Sequence, residues 1–398
     1  MYLPYLTADQ PGIGGQLKTE PEDFVVEEIP LYQASGTGQH LYVEIEKRGL
    51  STYVAINRIA RALKTSPNQI GYAGLKDAQA ITRQTLSIDQ GSAEAVEALN
   101  LPGIKILNIS HHKNKLRIGH LIGNRFVLRV RDVTEQALPI ATAVLSRLQE
   151  KGVPNFFGEQ RFGNRSNTQR LGEMLIQQNV AEFVAEYLGR PQLNEAAYVQ
   201  VARRLVDEGR WAEALAKWPH NLPDERRVLS AIVAAEGQIE VAFGALHKKN
   251  LKSFFISAFQ AQLFNELLAE RLDRLDRLET GDVAFIHGKG AAFLVEEVEV
   301  EQPRADVFEI SPSGPLFGPK MILAEGKPGQ RERASLAKQG LTLDDFNITG
   351  LKTRGTRRPY RFNLKDAKIW WDDGLMISFE LPPGAYATRV MAEIMKGP

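Results

Sequence analysis

The chain has 398 residues, 43% hydrophobic and 24% charged, which is an ordinary globular composition with room for two domains or one domain with a large insertion. The absence of cysteine excludes disulfides, thiolate metal sites and a cysteine nucleophile. No apolar run is long enough for a transmembrane helix and the N-terminus lacks the basic region of a signal peptide, so we expect a cytoplasmic protein that does not span a membrane.

The net charge of +1 conceals an uneven distribution of charged residues. Residues 105–131 hold seven Lys or Arg, three His and no acid, and residues 351–368 hold seven Lys or Arg against one Asp. Residues 292–309 carry six acids and one Arg. If the two basic segments shared a face, that face would bind phosphates with salt-dependent affinity. A solvated surface explains either segment by itself, so the charges alone leave the choice open.

The N-terminal part of the chain predicts strands around one helix. Alternation predicts strands at 41–46, 82–88 and 125–131, the last with a mostly basic face that would suit an RNA-facing surface. Ser51 precedes a helical stripe that closes at Ser66-Pro67. Between this helix and the second strand lies a loop containing Gly71 and Gly74, which presents Asp77 directly after Lys76.

The remaining chain predicts helices first and strands later. A helix is expected at 136–150, and residues 165–275 are helix-rich, with an apolar stripe at Phe255, Phe259, Leu263 and Leu267 that we assign to core packing. Short strands follow over 281–321, with 311–319 as an ordered loop because of its Gly and Pro content. A strand at 375–381 and a short C-terminal helix end the chain. Strands at both ends predict an α+β core domain interrupted by an insertion.

Several kinds of chemistry lack their sequence motifs. The chain has no P-loop, no G-x-G-x-x-G before a helix, no H-E-x-x-H and no G-x-S-x-G. Neighbouring strand residues point to opposite faces, so His111 and His112 are a poor chelating pair. A hydrolase would need a metal cluster or a second carboxylate matched to Asp77, and neither Asp89 nor Glu94 shows such a pairing. We therefore expect no metal and no cofactor.

Asp77 is the strongest candidate for a reactive group, although an Asp beside glycines is also an ordinary turn or cap residue. Other polar and glycine-rich segments accompany it along the chain. They are Lys18-x-x-Pro21-Glu-Asp-Phe-x-Val-x-Glu27, Lys115-Leu-Arg-x-Gly-His-Leu-x-Gly-Asn-x-Phe126, Asn155-Phe-Phe-Gly-Glu-Gln-Arg-Phe-Gly163, Gly314-Pro-Leu-Phe-Gly318, Gly350 to Pro359 and Leu381-Pro-Pro-Gly-Ala-Tyr-Ala-Thr388.

Together with Ala73 to Gln84, these segments, apart from Gly350 to Pro359, resemble the TruD family of tRNA pseudouridine synthases and give six motifs in the family's order over residues 18–395. The resemblance implies that the protein isomerises uridine 13 of certain tRNAs to pseudouridine. It also implies a pseudouridine-synthase catalytic domain, with a mixed or antiparallel sheet and flanking helices, at 1–152 and 346–398. A family-specific α/β insertion domain would occupy 153–345. We expect tRNA as the partner, no protein partner and a monomer.

The resemblance assigns roles to individual residues. Asp77 is the catalytic residue, Phe24 touches the target nucleotide and Asn124 lies in the active cleft. Tyr386 stands where many bacterial members have Phe, and its ring would stack beside the flipped base. Lys76 has no role assigned by the resemblance; its place beside Asp77 leaves three alternatives, which are positioning a phosphate, tuning Asp77, or being a solvated neighbour without either role. The candidates for contacts with the RNA backbone come from the two basic segments and are Lys115, Arg117, Arg354, Arg357 and Arg358.

The chemistry of pseudouridine formation agrees with one essential carboxylate. The N1–C1′ bond breaks, the base turns and it is rejoined through C5, without a redox step. A carboxylate serves as nucleophile or base, and attack at C6, attack at C1′ and proton abstraction at C2′ all use the same residue. Flipping the base costs a few kcal/mol, offset in part by aromatic stacking of about 1–3 kcal/mol. A noncatalytic RNA-binding protein or RNA chaperone is the alternative.

Overall fold

The computed structural model describes residues 3–246, 249–348, 351 and 353–396, with the backbone alone at Lys249. Gly350 of one motif and Lys352 of the second basic segment lie outside the described residues. The chain forms two compact units: residues 5–153 with 362–396 make a sheet unit, and residues 154–361 make an inserted unit. The second junction follows Arg361 rather than residue 345, because residues 356–359 pair with a strand of the inserted unit.

The first segment of the sheet unit contains seven strands and three helices. The strands are β1 (Gln16–Leu17), β2 (Phe24–Pro30), β3 (His40–Arg48), β4 (Ile70–Tyr72), β5 (Ile81–Asp89), β6 (Ile104–His112) and β7 (Leu121–Arg131). The helices are α1 (Thr52–Ala62), α2 (Ala93–Glu97) and α3 (Ala137–Lys151). The Ser51 hydroxyl caps α1 by accepting from the Val54 N–H at 3.3 Å, and Gly152 ends α3 with a φ of 87°. The predicted helices and strands of this segment are confirmed.

The inserted unit is mainly helical. Its strands are β8 (Val153–Pro154, across the junction), β9 (Val283–Ile286), β10 (Ala291–Leu294), β11 (Ile310–Leu316) and β12 (Thr356–Pro359). Its helices are α4 (Thr168–Ile176), α5 (Val180–Leu188), α6 (Ala197–Asp207), α7 (Trp211–Lys217), α8 (Pro223–Ala234), α9 (Ala242–Ala245), α10 (Lys249–Glu270), α11 (Val298–Asp306) and α12 (Gly326–Lys338). The predicted core stripe on α10 is buried.

One prediction for the inserted unit is wrong. Residues 311–319 were expected to form a loop, but β11 runs through Leu316 in the sheet of order β10-β9-β11-β12. The two prolines of this strand lack N–H groups, yet their carbonyls remain free to accept, and Pro312 O accepts from Tyr360 N at 2.9 Å. Ser313 also bonds outside its own strand, from its hydroxyl to Val283 O at 2.5 Å.

The chain returns to the sheet unit after Arg361. It forms β13 (Arg361–Phe362), β14 (Lys365–Trp371), β15 (Leu375–Leu381) and α13 (Ala387–Met395). The main sheet has the order β14-β15-β7-β2-β5-β3-β6, with β1 paired to β7 and β4 paired to β5. Its strand pairs are antiparallel except β2 with β5. The predicted α+β class and the mixed sheet are confirmed.

One face of this sheet carries two hydrophobic clusters separated by polar side chains. The first cluster packs β2, β7 and β15 against α3 and α13, and the second packs β3 and β5 against α1 and α2. Strand register places Lys47, Gln84, Glu28 and Asn124 on the same face, between the two clusters. We call these four residues the polar band.

None of the helices in the described part of the chain has both the length and the apolar character that a bilayer span requires.

Candidate active site

Asp77 lies in the loop between β4 and β5, and both of its carboxylate oxygens are engaged. Oδ2 accepts from the Lys18 ammonium in an ion pair. Oδ1 accepts from the Gln79 backbone N–H at 3.0 Å. The Asp77 side chain keeps 34% of its exposure, so the carboxylate is oriented by two donors and remains reachable.

The surroundings keep Asp77 ionised. Burial raises the pKa of its carboxyl, but the Lys18 hydrogen bond, the Gln79 N–H and the Lys18 charge outweigh burial and hold the pKa below its usual value of 3.8. At neutral pH, Asp77 is therefore a carboxylate available as nucleophile or base.

Members of the polar band hold the Asp77 loop in place. Lys47 has no exposed surface, and its Nζ donates to Asp77 O at 2.9 Å and to Leu50 O at 2.5 Å. Burial lowers the pKa of Lys47 to about 8, against a partial rise from the Asp77 charge. Gln84 Nε2 donates to Gly74 O at 3.4 Å. These contacts fix the loop backbone on both sides of Lys76.

The Lys76 side chain forms a buried ion pair with Glu28, which is not a contact expected from the sequence. Its Nζ lies 2.6 Å from Glu28 Oε2, and both side chains are only 3% exposed. Its backbone N–H donates to Thr52 Oγ1 at 2.9 Å. Because a buried ammonium paired with a buried carboxylate is not presented to a substrate phosphate, the geometry favours anchoring of the Asp77 loop on the polar band over the expected substrate contact.

Asn124 differs from the other members of the polar band. It lies on β7 opposite Glu28 of β2 and Leu381 of β15. Its Oδ1 is buried and has no hydrogen-bond partner within the described part of the chain. An unpaired buried acceptor costs free energy, about 1–3 kcal/mol, which a ligand donor would recover.

The two aromatic candidates have different environments. Phe24 is 3% exposed; its ring packs edge-on against Phe126 with centroids 6.1 Å apart, and Lys18 Nζ lies 4.2 Å from its centroid. The Phe24 ring therefore packs against the Lys18 ammonium and offers no open surface on which a base could stack. Tyr386 precedes α13 and is 39% exposed, so its ring is available for stacking.

The basic segment 113–120 packs beside the Asp77 loop. A Cβ on Gly71 would come within 2.3 Å of Leu116 O, so this glycine allows the protein's own backbone to approach closely, rather than a substrate. Lys115 Nζ donates to Asn68 O at 2.6 Å, whereas Arg117 is exposed. Of these two predicted RNA contacts, Arg117 is the more accessible.

The other arginine candidates lie in the inserted unit and two of them have structural partners. Arg357 is 6% exposed and pairs with Glu332 at 2.7 Å. Arg358 donates to Asn155 and lies 4.1 Å from the Phe157 ring centroid. The geometry of these two favours internal packing over the expected contacts with the RNA backbone, and of the three candidates only Arg354 is exposed.

The basic face predicted for β7 is neutralised by carboxylates. Arg125 pairs with Glu380 at 2.7 Å and Arg131 with Asp23 at 2.8 Å. Arg129 reaches Asp372 at 3.3 Å. This face is therefore a network of ion pairs and not a free cationic surface, which corrects the RNA-facing interpretation.

Lys18 is the residue that the sequence prediction did not select. Lys18 begins the segment that contains Pro-Glu-Asp-Phe, and its contacts with Asp77 and Phe24 arise from the fold. Within the described residues, no group of three His, Asp or Glu side chains is placed to hold a metal ion.

The whole chain matches a known family. The family model of tRNA pseudouridine synthase D (TruD) matches residues 2–394. Curated proteins named tRNA pseudouridine synthase D include one from Geobacter sp. (strain M21), 45% identical over 98% of this chain and 99% of its own length. Another, from Syntrophotalea carbinolica, is 45% identical over 98% of each chain.

A solved structure supports the same assignment. The crystal structure of a putative tRNA pseudouridine synthase D from Methanosarcina mazei superposes with a TM-score of 0.87 at 29% identity, covering 99% of this chain and 96% of that one. The match extends over the Asp77 loop, the sheet unit and the inserted unit alike. The chain belongs to the tRNA pseudouridine synthase D (TruD) family.

Proposed function

We propose that this protein isomerises uridine 13 of tRNA to pseudouridine, with Asp77 as its catalytic residue and without a cofactor, as a cytoplasmic monomer. The observation that carries the proposal is the state of the Asp77 carboxylate. Lys18 keeps it ionised, the Gln79 N–H orients it, and the polar band holds its loop in place. Family membership supports the reaction type, and this geometry supports Asp77 as the group that performs it.

The reaction requires a carboxylate that is both charged and held still. As the N1–C1′ bond breaks, Asp77 acts on the nucleoside as nucleophile or as base, and the base rejoins the sugar through C5. Lys18 keeps the carboxylate deprotonated, and the loop contacts from Lys47 and Gln84 limit its movement. Positioning of this kind lowers the activation barrier, because the catalytic group loses its orientational entropy during folding and not during the reaction.

Two further residues suit the flipped base. Asn124 Oδ1 is a buried acceptor that lacks a partner among the described residues, and the uracil N3–H is a donor of matching polarity. Tyr386 has an exposed ring beside the chain that leaves β15, where Leu381 pairs with Asn124. We propose that Asn124 holds the uracil edge and that Tyr386 stacks on the base.

The direct test uses a tRNA transcript labelled with tritium at C5 of uridine. Because the glycosidic bond moves to C5, each turnover releases one tritium into water, and chemical mapping locates the product. We expect stoichiometric release and a single pseudouridine at position 13. Binding of tRNA without tritium release would instead support the noncatalytic alternative.

Replacement of Lys18 tests the charge on Asp77. We expect Lys18→Met to lower kcat/KM by about 10–100-fold, because a charge-assisted hydrogen bond is worth about 1.5–3 kcal/mol. In the variant, burial is opposed only by backbone donors, so the pKa of Asp77 rises. Since the ionised form is needed, activity is lost as pH falls through that pKa, and the acid limb of the pH profile moves to higher pH.

The matched control is Lys18→Arg, which keeps a cation near Asp77. This variant should recover part of the rate and restore the position of the acid limb. If Lys18→Met lost activity with an unchanged acid limb, Lys18 would contribute by packing on Phe24 and not by holding the Asp77 charge.

A further inference from the structure

A cavity of about 630 Å³ lies in the sheet unit, where the loop after β6 passes the segment before β3. Its lining includes Tyr32, His112, Lys113, Asn114, Arg117 and His120. None of its lining side chains, all within the described residues, carries a carboxylate. A nearby cavity of about 440 Å³ shares Tyr32 and His120 but contains Glu27, Glu28 and Glu44, so an anion would favour the first cavity.

Two cations of the cavity are free to meet a ligand. Lys113 and Arg117 are both exposed, and neither forms an ion pair in the part of the chain that the structure describes. The arginines of β7, by contrast, are paired with acids, as Arg125 is with Glu380. Unpaired lysine and arginine in one concave site are the groups that bind phosphate oxygens.

The His112 imidazole adds a hydrogen-bond donor to these charges. Nδ1 of His112 accepts from the Ser35 backbone N–H at 3.2 Å, which leaves Nε2 to carry the proton. Nδ1 of His120 lies 2.8 Å from the Tyr32 hydroxyl, and the Tyr32 ring stacks on His112 with centroids 5.0 Å apart. His40 is not counted among the side chains that would contact the anion, because its Nδ1 faces the carboxylate oxygen Asp89 Oδ1 at 3.4 Å.

The cavity is joined to the catalytic loop through the backbone. Gly119 N donates to Ala73 O at 2.9 Å, four residues before Asp77. Leu116 N donates to Ser87 Oγ at 3.0 Å, which ties the same segment to β5. A ligand held by Lys113 and Arg117 is therefore bound to the segment that supports the Asp77 loop.

We propose that this cavity binds a backbone phosphate of the tRNA, outside the catalytic pocket, through Lys113, Arg117 and the His112 Nε2–H. The proposal rests on the proposed function, because it takes tRNA as the ligand. It assigns the cavity to RNA positioning, and it predicts a contribution to affinity that does not depend on base sequence.

The test compares the wild-type protein with a double variant that carries both Lys113→Ala and Arg117→Ala. Both proteins are given a tRNA transcript that the wild-type protein modifies. Affinity is measured between 50 and 200 mM salt. Since each phosphate contact contributes a slope of about 0.7–0.9 in log K against log salt, the double variant should lose about 1.4–1.8 from that slope and bind about tenfold more weakly at 50 mM. The control is Arg61→Ala with Lys64→Ala, two exposed cations at the end of α1.

Ethylation interference on the same tRNA identifies the phosphate. In wild-type protein, ethylation of particular phosphates should block binding, and at one or two of them the block should disappear in the double variant. An unchanged salt slope with an unchanged interference pattern would overturn the proposal while the transcript is still modified. If the wild-type protein modified no transcript, the proposed function itself would fail, which is a distinguishable result.

Discussion

Replacing Asp77 by Asn should abolish tritium release from tRNA while leaving its binding nearly unchanged. Asn keeps the shape of the side chain and can still accept from the Gln79 N–H, but it is neither a nucleophile nor a base at neutral pH. Loss of such a group reduces the rate by about 10³-fold or more. Single-turnover tritium release, with affinity measured in parallel, checks both parts.

The control for this prediction is Asp132→Asn, an identical exchange at an exposed aspartate after β7. It should retain wild-type rates, because Asn tolerates the positive φ of 59° at this position. Full activity in Asp77→Asn would remove the catalytic assignment and favour a different essential group. Equal loss of binding and activity would instead mean that the exchange disturbs the loop.

Replacing Lys76 by Met should destabilise the protein by about 3–5 kcal/mol, the cost of leaving a buried charge without its partner. The stranded group is Glu28, which is 3% exposed and whose other oxygen accepts from Thr85 N at 3.2 Å. Urea unfolding of the wild-type and variant proteins measures this difference. A substrate-binding lysine would behave differently, since its loss would raise KM without a large change in stability.

Glu28→Gln combined with Lys76→Met separates these two roles. The neutral amide retains an acceptor for Thr85 N and removes the unpaired charge, so the double variant should recover most of the lost stability. If Lys76→Met were as stable as the wild type but bound tRNA weakly, the anchoring role would be wrong and the substrate contact expected from the sequence would stand.

Local sequence patterns predicted the local structure well. The strand expected at 375–381 and the helix expected after Ser51 are both confirmed. Side-chain periodicity and capping are short-range effects, so local sequence is enough to predict them. The strand β11 was missed because its prolines argue against a strand, while pairing with β9 and β12 is decided by distant residues. The end of the inserted unit at Arg361 likewise depends on distant residues, because β12 pairs with β11.

The site was predictable only where a motif marked it. Motifs predicted family membership, which is confirmed, and selected Asp77 and Asn124, whose roles stay predictions. Lys18 was not selected because its partner is distant in sequence. Charge counts could not show that Arg357 meets Glu332 or that Arg131 meets Asp23. Whether a basic residue is free for RNA depends on which acid the fold places beside it.

The place of β15 in the sheet has a consequence for synthesis on the ribosome. This strand, near the C-terminus, pairs with β7 along its length and adds α13 to the same hydrophobic cluster. During translation, the edge of β7 that pairs with β15 therefore stays unpaired until the whole inserted unit has emerged. Unpaired strand edges promote aggregation. We therefore expect the sheet unit to complete its folding late, because a chain that ends before Leu375 lacks both the strand that covers this edge of β7 and the helix α13 that follows it.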